Sequence, residues 1–268
     1  MEITTIELHP VLTPRRNGST NYHVIVLIET DTTITGLGEF SDLSHAPAMM
    51  PDVDDLASVL NERFSGVDPT NLTLIEEQLA QDFPAVGKSK LVKAGIEIAC
   101  HDITAKLHGI AVSDLLGGRK RDRIPVCYPI FRMHDVEAVP DRLEQVKIAR
   151  DHGFDTIRFY FGGDLDAEER FLEQFADRFG DEMQIKSLDA SGNFSWKEAI
   201  AAYERLKHFE FIHLESPVPR ADLEGLARVT HRIDHPVSEH IGSLDYALAV
   251  IEKQAVDIMN VSLANISR

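Results

Sequence analysis

The residues with the clearest chemical potential are Asp189, Glu215 and Glu239, each following a short apolar run: MQIKSL, FIHL and PVS. They are spaced 26 and 24 residues apart, one strand-plus-helix unit each. If the runs are consecutive strands of a βα barrel, their C-terminal ends converge on one face and the three carboxylates point into one mouth. Bare carboxylates gathered there repel one another, and only a hard cation makes the cluster favourable. A set of oxygen ligands without Cys or His favours magnesium over zinc. The competing reading is that the three acids are helix caps or ordinary loop residues. Their recurrence at matched positions in consecutive units weighs against it.

The elements that must position these acids are legible from the apolar rhythm. After Gly117-Gly118 and the basic segment RKRDR, strand candidates fall at residues 124–131, 156–161, 183–188, 209–214, 235–238 and 256–261. Amphipathic helical stretches such as DAEERFLEQFADRFG and SWKEAIAAYERLKHF separate them. Strands joined through helices run parallel and bury both faces, which leaves a doubly wound sheet or a barrel. No glycine-rich GxGxxG turn follows the first strand, which argues against a dinucleotide fold. Upstream, the alternation in ITTIELHPVL, YHVIVLIET and TITGLGEF reads as a strand, a loop and a hairpin, and helical periodicity takes over from Val53 to Leu116. The expected organisation is an α+β domain over 1–120 and a (β/α) domain over 121–268.

Composition limits the partners. The chain has 268 residues with 27 basic against 44 acidic side chains, a net charge of −17 that repels nucleic acid and anionic membranes. Cys100 and Cys127 lack CxxC spacing, the N-terminus has neither a basic nor an apolar export region, and no apolar run approaches a membrane span. A folded cytoplasmic protein acting on a small molecule is the expectation.

The motifs LDASGNFSW, LESPVP, PVSEHIGS and VDIMNVSLANIS, with GLGEF and AGIEIACHDITAKLHGIAVSDLLGGRKRDRIPV upstream, resemble the enolase superfamily, in its mandelate racemase/muconate lactonizing enzyme branch. The similarity covers essentially the whole chain. It implies an N-terminal capping domain followed by a TIM-type barrel, here carrying about six of eight strands, so that two βα units lie beyond Arg268 or the chain is a fragment. It also implies a homo-oligomer in which Mg²⁺ on Asp189, Glu215 and Glu239 binds a substrate carboxylate. A divalent cation stabilises the aci-carboxylate formed when the adjacent proton is removed.

The resemblance also implies a Lys-x-Lys pair at the end of the second barrel strand, where this chain has Arg158-Phe159-Tyr160. Period-two alternation puts Arg158 and Tyr160 on one side of that strand. Arg158 is suited to orient a carboxylate or lower a phenol's pKa, and Tyr160 becomes the candidate proton carrier. The alternative is an inward ion pair for Arg158 with Tyr160 packed on it. The family's Asp on strand six is replaced by Ser262. His240 is a candidate acid and His134 a candidate substrate ligand, while Arg16, Tyr22 and His45 fall in regions resembling the loops that close over the barrel mouth. The leading expectation is α-proton removal from a hydroxylated, sugar-acid-type carboxylate followed by loss of water, a dehydratase reaction. A racemase, epimerase or cycloisomerase, or a non-catalytic barrel retaining only cation and carboxylate binding, are the alternatives.

Overall fold

A computed structural model describes residues 1–14, 20–41, 52–82 and 89–261. Arg16, His45 and Ser262 lie outside the described residues. Among the described residues the chain divides into two compact units, Met1–Asp122 and Arg123–Val261, each with its own core.

In the first unit, β1 (Ile3–Pro14), β2 (Thr20–Thr30) and β3 (Thr35–Phe40) form an antiparallel meander in the order β1-β2-β3. The expected strand, loop and hairpin are thus one continuous sheet, because β1 pairs with β2 along nearly its whole length. One face of the sheet buries Ile6, Val24, Val26 and Ile28. α1 (Val53–Phe64) is capped by Asp52, which accepts from the N–H groups of Asp54 and Asp55, and is followed by α2 (Leu72–Asp82) and α3 (Ser89–His108). α3 lies hard against β3. A Cβ on Gly36 would stand 2.3 Å from the Ala99 carbonyl and one on Gly38 2.0 Å from that of Gly95, so only glycine permits this approach. A short α4 (Val112–Leu115) completes the unit.

The second unit is a parallel sheet of β4 (Tyr128–Ile130), β5 (Thr156–Tyr160), β6 (Gln184–Asp189), β7 (His213–Glu215), β8 (Val237–Ile241) and β9 (Ile258–Val261). Between them run α5 (Val139–Asp151), α6 (Leu165–Phe179), α7 (Trp196–Leu206), α8 (Leu223–Thr230) and α9 (Leu244–Glu252). The strands are hydrogen-bonded in sequence order, β4 through β9. A doubly wound sheet reverses its order at a switch point, whereas sequential addition is the pattern of a barrel wall. Four of the helices begin at a side chain that accepts from the first turn: Asp164, Ser195, Asp222 and Ser243. α6 turns Phe171, Leu172, Phe175 and Phe179 onto the sheet.

The strand limits differ from those read in the sequence. The apolar run at 124–131 contributes only Tyr128–Ile130 to the sheet, leaving Ile124 77% and Val126 63% exposed. Asp189 and Glu215 are the last residues of their strands, but Glu239 lies in the middle of β8. An apolar run marks where a strand is possible, and pairing with a neighbour decides where it begins and ends.

Candidate active site

Register places the candidate residues. Arg158 lies beside Ser187, Tyr160 beside Asp189, Asp189 beside Glu215, and Glu215 beside Ser238. Neighbours across a parallel ladder share a face, so Arg158, Tyr160, Ser187, Asp189, His213, Glu215, Ser238 and His240 all belong to one side. Asp189, Glu215 and Glu239 are each at most 2% exposed.

Arg158 stands at the centre of this group. Its Nη2 is ion-paired with Asp189 Oδ2 and lies 2.9 Å from Glu215 Oε1. Its guanidinium carbon sits 4.6 Å from the centre of the Tyr160 ring, which stacks in turn on Phe131 at 5.1 Å. Arg158 and Tyr160 therefore do share a side of β5. Burial pushes the Tyr160 phenol above its ordinary value, and the Arg158 charge lowers it by less. That direction is opposite to the one a phenolate base needs.

Glu215 is enclosed. Ser187 Oγ donates to its Oε2 at 2.9 Å, His240 Nε2 is 3.0 Å from Oε1, and His213 Nε2 and Lys186 Nζ approach Oε2 at 3.8 and 3.9 Å. Burial disfavours its charge, but the imidazoles of His213 and His240, the Arg158 charge and the Ser187 hydroxyl outweigh that and hold the carboxyl far below the usual carboxylate range. Even so, Oε1 is buried without a directed hydrogen bond, since neither Arg158 nor His240 aims an N–H along its lone pair. Asp189 Oδ1 accepts from the Ser191 N–H at 2.7 Å.

Glu239 is not gathered with the other two acids. It is one residue beyond the position that pairs with Glu215, so it leaves β8 on the other side, accepting from the His240 N–H at 2.7 Å with Arg220 Nη2 at 3.8 Å. Burial pushes its pKa up, opposed by the His240 N–H and the Arg220 charge. Among the described residues no three acids or imidazoles stand close enough together to hold a metal ion.

The donor set nonetheless fits an oxygen-seeking divalent cation. Two buried carboxylates, Asp189 and Glu215, face the half-buried Arg158 guanidinium, and one Glu215 oxygen lacks a directed donor. Asp189 and Glu215 share the face on which it would sit, whereas Glu239, the third acid expected there, lies on the other side of β8.

His134 is exposed on the segment after β4, beside Gly163, and Tyr22 packs partly buried on the core of the first unit. Ser187, His213 and Lys186 were not singled out in the sequence. The available signal for the first two was spacing: Ser187 and His213 each precede a site acid by two residues, the period of a strand.

Two family models account for most of the chain. Residues 2–117 match the mandelate racemase / muconate lactonizing enzyme N-terminal domain, and residues 141–267 match the enolase C-terminal domain-like family. Among curated proteins, a hydrophobic dipeptide epimerase of Enterococcus faecalis is 28% identical over 89% of this chain and 66% of its own length. An N-succinyl-L-Arg/Lys racemase of Bacillus cereus is 26% identical over 98% of this chain and 73% of its own length. A D-xylonate dehydratase of Haloferax volcanii is 23% identical over 88% of this chain and 61% of its own length. This chain thus spans about two thirds to three quarters of the length of the first two of these relatives. The crystal structure of the dipeptide epimerase from Enterococcus faecalis superposes on all of this chain and 75% of its own, with a TM-score of 0.83 at 23% identity. An enolase from Bradyrhizobium complexed with magnesium and mandelic acid superposes on 99% of this chain and 75% of its own, with a TM-score of 0.80 at 22% identity.

Proposed function

Because the chain belongs to the mandelate racemase/muconate lactonizing enzyme branch of the enolase superfamily, we propose that its barrel removes the proton next to a carboxylate in a small-molecule substrate. The observation that carries this reading is the placement of acids on three consecutive strands, with Arg158 and Tyr160 on the face shared by two of them. Asp189 and Glu215 would hold Mg²⁺, the ion in the superposed Bradyrhizobium enolase, with Glu239 completing the set only if its side chain turns to the inner face of β8. When bound, such an ion supplies the positive charge that stabilises an enolate. Arg158, with its planar fork, orients the substrate carboxylate, and the Tyr160 hydroxyl donates a hydrogen bond from the same side. His240, close to Glu215 and partly open to solvent, moves a proton at the opposite edge of the group.

Isomerisation is the preferred outcome, supported by the epimerase and the racemase among the relatives. Loss of water from a sugar acid, the expectation from the sequence, is the second reading and is supported by the D-xylonate dehydratase. The test is proton exchange in deuterated buffer with Mg²⁺, using panels of N-acylated amino acids, dipeptides and sugar acids. Deuterium at Cα without net loss of substrate indicates isomerisation, and a 2-keto acid indicates dehydration. Magnesium binding with no exchange on any panel overturns the enzymatic reading in favour of a cation-binding barrel.

A further inference from the structure

Glu168 has no part in the site described above, although it is a fully buried acid one turn into α6. Its two oxygens accept from consecutive backbone amides, Oε2 from Gly162 N at 2.9 Å and Oε1 from Gly163 N at 3.0 Å. Two adjacent N–H groups converging on one anion make a small backbone nest, here filled by the protein's own carboxylate.

The turn that Glu168 holds joins several strands. Phe161 N donates to the Asp189 carbonyl at 2.9 Å, and Asp164 N to the Met133 carbonyl, on the segment after β4, at 2.8 Å. A Cβ on Gly163 would stand 1.9 Å from the Met133 carbonyl oxygen, and Gly162 has φ of +94°. The backbone at 162–163 is therefore fixed between β4, β6 and α6, two residues after Tyr160.

We propose that Glu168 is a positioning residue: its ionised carboxylate clasps the Gly162-Gly163 turn and so sets the end of β5 that presents Arg158 and Tyr160, and its protonation releases the clasp. The physical step is simple. A carboxylate accepts strongly from both amides, but the neutral acid carries a proton on one oxygen, and the amide facing that oxygen is left with a much weaker acceptor. The charged and titratable groups around the clasp are Arg132 and His134 after β4 and Asp164 at the α6 cap. Burial raises the Glu168 pKa to about 7, against the opposing effect of the Gly162, Gly163 and Met133 amides and the Arg132 charge, so the switch falls in the physiological range. The proposal stands apart from the assigned reaction and is tested without substrate.

The experiment follows backbone amide resonances of the metal-free protein between about pH 5 and 9. We expect the Gly162, Gly163 and Tyr160 amides to move together with a midpoint near 7. The same titration should persist in His134→Gln and vanish in Glu168→Gln. The carboxyl carbon of Glu168 in the wild-type chain should share the midpoint, which keeps the test intact if the Gln variant does not fold. Flat glycine amides, a Glu168 carboxyl carbon that does not titrate in this range, a titration that survives Glu168→Gln, or one lost in His134→Gln each overturns the clasp. Movement of the glycines without Tyr160 overturns its positioning role.

Discussion

Arg158 is the residue on which the proposed chemistry turns. Its guanidinium lies between Asp189 and Glu215 and is, among the described residues, the one positive charge paired with both. Removing one partner of such a pair leaves a buried charge uncompensated, which typically costs about 3 kcal/mol or more. Glu215→Gln should accordingly lower the stability of the metal-free protein, read as a fall in the urea midpoint. An unchanged midpoint would mean that the pair contributes little. With Mg²⁺ in excess, the wild-type chain should gain on the order of 2.7 kcal/mol at a concentration 100 times Kd. Asp189→Asn should lose most of that gain, and a full gain in the variant would place the ion elsewhere. Tyr160→Phe keeps the stack on Phe131 and removes only the hydroxyl, so if that hydroxyl donates to the developing negative charge, turnover should fall by about 10² to 10³ with KM little changed. Near-wild-type turnover would remove Tyr160 from the reaction. Of these residues, the sequence showed the acids and the shared side of Arg158 and Tyr160. It could not show that the guanidinium bridges two of the acids, because that depends on how far β5, β6 and β7 are staggered.

At the scale of elements, the strand ends are set by pairing. Glu239 looked like a strand-end acid from its spacing, yet β8 runs on to Ile241 because His240 and Ile241 pair with Asn260 and Val261 of β9. The face assignment of β8 then follows from period two, and it brings His240 rather than Glu239 toward Glu215. The contact of α3 with β3 is equally geometric. Gly38→Ala would put a methyl group 2.0 Å from a backbone carbonyl that no rotamer can move. Such overpacking typically costs about 1–3 kcal/mol, and the value here should lie at or above the top of that range. Guanidinium denaturation is the measurement, and a loss below about 1 kcal/mol would show that α3 shifts freely. GLGEF carried this information in the sequence only as a pair of glycines in a strand, which admits a bulge, a bend or a close neighbour equally.

Across the whole molecule, the net charge of −17 is accompanied by two buried acids with opposite pH signatures. Glu215 is held far below its unfolded value, so its contribution is present above that value and is lost as pH falls. Glu168 is raised from 4.5 to about 7, so relative to the unfolded chain its contribution is greatest below 4.5 and is lost as pH climbs through that window. The loss amounts to at most about 3 kcal/mol. Wild-type stability relative to Glu168→Gln should thus decline between pH 5 and 8, measured by urea unfolding at several pH values. A difference that stays constant would show that Glu168 titrates normally. Among the described residues no helix is long and apolar enough to cross a membrane.

The amino-acid sequence by itself determined the order of strands and helices, the two-part organisation of the rhythm, and the three acids, since each is recorded in local periodicity and spacing. Tertiary structure alone decided which acids meet. Asp189 and Glu215 share a face with Arg158 because the ladders put β5, β6 and β7 in that register, whereas a one-residue offset sends Glu239 to the other side of β8. It also decided the place of Glu168, which reads in sequence as one more acid in the first turn of a helix. Its burial against two glycine amides arises only where β4, β5 and α6 come together, and no periodicity encodes a contact among three separate elements.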